Sequence, residues 1–288
     1  MNLNEAMSAL KSAAKESAKR TYLKHGAKEP LFGVLTGDLT SLQKRIKTDQ
    51  RLAVQLIATG NADARLLGFL IADPRQLDVK TAQAWVSQAS WPMDTYYLGQ
   101  LLVKSGIWMD CMLAWMAVAD EWVQSAGYSL LAQRLKDDAD SIPDDLAKKT
   151  LVAIEKGIHK AANRARYNMN TALIAIGTYK PGLRDAALAA ADRIGPVEVD
   201  HGDTSCKTPS APEYIRKAGA HADRMASKKA SGTKPKAEAK SAPAKAAAKS
   251  APAKAAGKSA PAKAAGKSAP AKAGGKAAPK RARREASA

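Results

Sequence analysis

A chain of 288 residues with a net charge of +19 has room for one large domain or two ordinary ones. Its charge is uneven: from Lys228 onward there are 17 lysines and arginines against two acids, Glu238 and Glu285. Two cysteines, Cys111 and Cys206, exclude a disulfide framework, and the longest apolar run, Leu66 to Ala72, is too short to cross a bilayer, so a reducing, cytoplasmic setting is expected.

Helix is the only regular structure on offer, because apolar residues recur at three and four and no run alternates long enough for a sheet. Leu3, Met7, Leu10, Ala14 and Ala18 share one stripe, which predicts a first helix ending near Lys24, with Gly26 as its C′ residue. That stripe, basic but carrying Glu5 and Glu16, reads as an ordinary helix rather than a targeting segment. A loop holding Pro30, Gly33 and Gly37 follows, and Thr36 or Asp38 caps a helix that turns Leu39, Leu42 and Ile46 inward. Further helices are expected at about 51–58, 62–72, 79–89, 92–104, 107–118, 121–136, 143–156 and 158–177, and an alanine-rich one over 181–194. The five tryptophans, at 85, 91, 108, 115 and 122, fall in one stretch with Tyr96, Tyr97 and Tyr128, the composition of a helical core. Within it, Trp91 and Asp94 place an indole face and a carboxylate one turn apart at a helix start.

Three segments resemble one another: DARLLGFLIAD, EWVQSAGYSLLAQ and ARYNMNTALIAIG, each with a polar first turn, a small central residue and an aliphatic finish. A loose repeat of paired short helices predicts an all-α, HEAT-like solenoid over residues 1–225, whose concave face is the usual binding surface. Residues 195–214 are rich in Asp, Gly, Thr, Ser and Pro; Asp200, His201, Asp203 and Cys206 match no zinc spacing, so a turn-rich loop is expected, pinned by side-chain to backbone hydrogen bonds, and no metal.

From residue 226 the chain changes character. Lysines recur with period nine, among them Lys240, Lys249, Lys258 and Lys267, with prolines on the same period and no large apolar residue after Met225. Such a segment, 226–288, cannot bury enough surface to offset its ordering entropy and is expected to be disordered. It resembles the C-terminal tail of a linker histone. Evenly spaced lysines can follow phosphates without reading bases; eight of them on duplex DNA give log K a slope of about −7 against log salt. In the folded part, His159, Lys160, Arg164 and Arg166 begin a helix, a ready phosphate site or a solvated face, and Lys44 with Arg45 and Lys47 forms a second basic cluster.

YLKHGAKEPLFGVLTGDLTSLQKRI, SWPMDTYYLGQLL, EWVQSAGYSLLA, ARYNMNTALIAIG and VEVDHGDTSCKTP, in that order, resemble the bacterial DNA alkylation repair proteins of the AlkD-like class over roughly residues 15–217. The resemblance implies a HEAT-like solenoid gripping duplex DNA on a basic concave face and excising N3- or N7-alkylated purines by glycosidic cleavage. Trp91 would then pack on the deoxyribose, and Asp94 would stabilise the oxocarbenium charge. Two features depart from the family pattern: the aspartate follows the tryptophan by three residues rather than four, and Ser125 stands where active members carry an arginine. Three functions follow from the sequence: an alkylpurine glycosylase, a non-catalytic protein recognising distorted DNA by shape, and a helical scaffold for protein partners. For the DNA readings, a monomer at the nucleoid is expected, with duplex DNA as partner, no membrane and no cofactor.

Overall fold

In the computed structural model, residues 1–230 are described, and the tail lysines Lys240, Lys249, Lys258 and Lys267 lie outside the described residues. Thirteen α-helices make up this part: α1 (Leu3–Ser12), α2 (Glu16–Lys24), α3 (Thr36–Ile46), α4 (Gln50–Ala58), α5 (Ala62–Ile71), α6 (Val79–Val86), α7 (Pro92–Leu102), α8 (Trp108–Met116), α9 (Glu121–Asp137), α10 (Asp144–Gly157), α11 (Asn163–Tyr179), α12 (Arg184–Ile194) and α13 (Ala211–Ala230).

Their starts are set by local chemistry. Asn2, Asp49, Asn61, Asp78 and Asp120 each accept a backbone N–H of the following first turn, and Pro92 opens α7 at a position whose N–H would be orphaned anyway. The one long helix expected before Lys24 is two. It breaks at Ala13–Lys15, where the Lys15 N–H donates to the Gly33 carbonyl and Ala14 bridges Val34. Gly33 makes that approach possible. At φ 83°, it brings the loop so close that a Cβ there would lie 2.5 Å from the Lys19 nitrogen.

The helices form two layers. α3, α5, α7, α9, α11 and α13 pack side by side as an inner row, while α4, α6, α8, α10 and α12 each lie against the inner helix that follows. The order is that of stacked helix pairs. Apolar residues from Ala6 to Ile215 join in one continuous core. The small residue shared by the similar segments has a packing reason: a Cβ on Gly68 would lie 2.6 Å from the Ile57 side chain, and one on Gly127 2.6 Å from the Met116 nitrogen. The three similar segments are α5, α9 and α11. α7 belongs to the same row between α5 and α9, but its PMDTYYLGQLL sequence departs from the pattern, which is why the repeat looked uneven.

α13 is not among the expected helices: its first turn falls in the expected 195–214 loop and its last residues in the expected tail. It is held by Ile215, fully buried on α11, and by a two-pronged pair from Arg184 to Asp223 at 2.6 and 2.9 Å. The helix runs to Ala230, past the expected boundary at Met225.

Candidate nucleic-acid interface

Asp94 lies in the first turn of α7 but does not face solvent. It is 1% exposed, and Arg65 of α5 donates to both of its oxygens, Nε to Oδ1 and Nη2 to Oδ2, each at 2.9 Å. The Ser90 N–H adds a third bond at 2.9 Å. Trp91 is equally buried, its ring tilted against Tyr22 of α2 with centroids 5.1 Å apart. The expectation that Trp91 and Asp94 meet the deoxyribose is therefore corrected: both side chains are buried, the indole against Tyr22 of α2 and the carboxylate against the Arg65 guanidinium of α5. Burial pushes the Asp94 carboxyl up, against the pull of Arg65. Neighbouring Asp63 is spent in a similar way, accepting the N–H groups of Phe32, Gly33 and Val34 and so tying the loop before α3 to the start of α5.

Arg65 is the residue that sequence reasoning passed over. Its signal was present: an arginine inside the apolar run ADARLLGFLI is tolerable only with a buried partner. The second departure is structural too. Ser125 is 1% exposed on α9, where Asn168 of α11 donates to its hydroxyl at 2.7 Å and to its carbonyl at 3.0 Å. A neutral polar clasp between two inner helices occupies that position.

The cluster at the start of α11 divides. The Arg166 guanidinium donates to the Glu198, His159 and Ala161 carbonyls at 2.9, 3.3 and 3.0 Å. It braces the 195–210 loop instead of standing free as the expected phosphate clamp. Arg164, half-buried, has its backbone N–H on Glu121 Oε1, and among the described residues its guanidinium makes no ion pair. His25, at the end of α2, and His201 lie close enough for Arg164 to act on both. Burial lowers the proton affinity of each imidazole, and the guanidinium lowers it further, with Asp200 opposing at His201.

The 195–210 loop is pinned as its composition predicts. Asn163 exchanges hydrogen bonds with the Asp200 backbone, Asp200 accepts from Gly202 N–H, and His201 shares a 3.0 Å bond with Thr208. An ion pair between Lys24 and Asp203 ties it to α2, so the two ends of the helical stack meet beside Arg164. No group of three or more candidate metal ligands occurs among the described residues. Lys160 is exposed before α11, and Lys44 and Arg45 are exposed at the end of α3. The inner row between them offers neutral polar groups: Tyr96 and Gln100 on α7, Gln133 on α9, Thr171 on α11.

The comparisons with known proteins agree with this architecture. A family model described as DNA alkylation repair enzyme matches residues 3–220. Lin0241, an uncharacterized protein of Listeria innocua, is 29% identical over 205 residues, covering 69% of this chain and 89% of that protein. Lmo0209, an uncharacterized protein of Listeria monocytogenes, is 28% identical over the same length and coverage. A solved structure, described as a new family of proteins related to the HEAT-like repeat DNA glycosylases with affinity for branched DNA structures, superposes with a TM-score of 0.71 at 31% identity, over 78% of this chain and 95% of its own. The chain thus belongs to the DNA alkylation repair enzyme family, and its described residues form an all-helical, HEAT-like fold.

Proposed function

We propose that this protein binds DNA through its backbone and shape, favours branched over linear duplex, and excises no base through Trp91 and Asp94. The carrying observation is the buried Arg65–Asp94 pair, because a carboxylate that is 1% exposed and bonded on both oxygens cannot approach a sugar. Releasing it would leave a guanidinium unpaired in the interior, at a cost of about 3–5 kcal/mol. The affinity for branched DNA stated for the superposing structure supports the binding half of the proposal.

Phosphate contacts fall to groups that are free to make them. Arg164 stands beside His25 and His201 in the first turn of α11, and Lys44, Arg45 and Lys160 are exposed. The lysine tail adds a sequence-independent attraction that holds the helical part near DNA. Branched DNA crowds phosphates from two or three arms at one point, which favours a protein whose cations lie at separate stations over one that tracks a single groove.

Incubation with duplex carrying 7-methylguanine tests both halves at once. Binding without release of the base is the expected result. Base release that is lost in Asp94→Asn at unchanged stability would overturn the non-excising reading.

A further inference from the structure

A cleft of about 570 Å³ opens between α3 and α7, floored by the last turn of α5. Nothing in the buried Trp91–Asp94 pair, the 195–210 loop or the Arg164 cluster uses it. Its walls have a consistent chemistry. Tyr96 is partly exposed and meets Tyr97 edge-on at 5.5 Å and 85°, which fixes the plane of its ring. Gln100 donates to the Tyr96 hydroxyl at 2.9 Å, and Gln43 donates to the Leu70 carbonyl at 2.9 Å, so both amides are held in place. Each amide retains its oxygen acceptor and a second N–H. Thr40 adds a hydroxyl, and Lys104, exposed at the far end, supplies the cation.

No carboxylate lines the cleft among the described residues. The nearest acid past its α5 end, Asp73, is tied to Arg75 and Gln76. Just outside, Lys44 and Arg45 continue α3 beyond Gln43. A held aromatic face, paired donor–acceptor amides and a cation, without an opposing acid, match a planar heterocycle that carries a phosphate.

We infer that this cleft receives one unpaired nucleotide, its base against the Tyr96 ring, its polar edge on Gln43 and Gln100, and its phosphate toward Lys104. This rests on the DNA-binding reading above, and it specifies what in a branched DNA is recognised: the base left without a partner at the branch. Stacking of a base on an aromatic ring is tolerant of base identity, so the site selects for unpairing and not for sequence.

The test uses the full chain and a duplex bearing a single bulged 2-aminopurine, with the same duplex fully paired as control. Binding of the bulge should quench the 2-aminopurine fluorescence, with affinity roughly ten-fold above the paired control. Tyr96→Phe keeps the ring but releases the Gln100 amide, and should keep the quenching with a reduced preference for the bulge. Tyr96→Leu keeps apolar packing without a ring; with its helical circular dichroism intact, it should lose the quenching and the preference while binding paired DNA like the parent. Equal quenching in Tyr96→Leu and the parent, or tight binding of the bulge without quenching, overturns the inference. Direct titration with free 2-aminopurine deoxyribonucleoside monophosphate separates the two claims. If neither DNA binds, quenching of the free nucleotide by the parent but not by Tyr96→Leu upholds the cleft and sinks the DNA reading. No quenching of it sinks both.

Discussion

Replacing Arg65 by methionine removes the guanidinium from Asp94 and leaves a carboxyl, 1% exposed, with the Ser90 N–H at 2.9 Å and a long contact to the Ser90 hydroxyl at 3.5 Å. The Arg65 side chain is 7% exposed, so water cannot substitute for it. Breaking such a pair from one side costs about 3–5 kcal/mol, and a domain of this size loses about 2–4 °C of melting temperature per kcal/mol, so Arg65→Met should melt roughly 10 °C lower. Part of that loss should return in Arg65→Met/Asp94→Leu, where both charges are gone and apolar groups fill the space. With Asp94→Leu as the second single variant, thermal unfolding followed by far-ultraviolet circular dichroism provides all the values for a double-mutant cycle on the pair. Were Arg65→Met to melt within about 1 °C of the parent, the pair would be doing nothing for the fold, and the argument that Asp94 is structurally committed would fail.

Arg164 and Arg166 should separate by assay. Arg164→Ala is expected to weaken DNA binding and reduce the salt slope by about 0.9, the value of one lost phosphate contact, whereas Arg166→Ala should leave the slope alone and make the 195–210 loop more susceptible to protease. The Tyr22 hydroxyl, which donates to the Val34 carbonyl, is pushed up to about 12 by burial from its ordinary value of 10.0. The folded state therefore holds that proton more tightly than the unfolded chain; the stabilisation is complete below pH 10.0 and is lost as pH rises through about 12, so Tyr22→Phe should flatten the alkaline limb of stability. Cys111 is fully buried, and burial pushes its thiol up to about 11, while Cys206 is partly exposed. A disulfide reagent at pH 8 should label Cys206 in the native protein and Cys111 only on unfolding.

Much of the architecture was legible because amphipathic helices declare themselves. Helices α4 to α12 fall close to their expected places, since Pro, Gly and N-capping Asp punctuate the apolar periodicity. The break at Ala13–Lys15 was not legible, because it depends on a contact with Gly33 from beyond the next helix. α13 was hidden for another reason: it begins inside the turn-rich 195–214 stretch and runs on into the lysine-rich segment, and the seating of Ile215 and the pairing of Asp223 are what mark it as part of the fold. Residue types at the site were legible, but their direction was not. Trp91 and Asp94 sit one turn apart at the start of α7 as expected, yet which way they point is decided for Trp91 by Tyr22 of α2 and for Asp94 by Arg65, 29 residues upstream. Arg166 fell to the same limit, since its partners are backbone carbonyls that carry no sequence mark.

The central claim is that this helical stack recognises DNA by branching and does so without a catalytic carboxylate. Competition binding of a four-way junction against a linear duplex of the same arm sequence, at one fixed salt concentration and on the full chain, addresses it most directly. Preference for the junction by about ten-fold or more, unchanged in Asp94→Asn once that variant is shown to be folded, is the predicted result. Equal affinity for the two DNAs, or a preference that vanishes with the Asp94 charge in a folded variant, would contradict it.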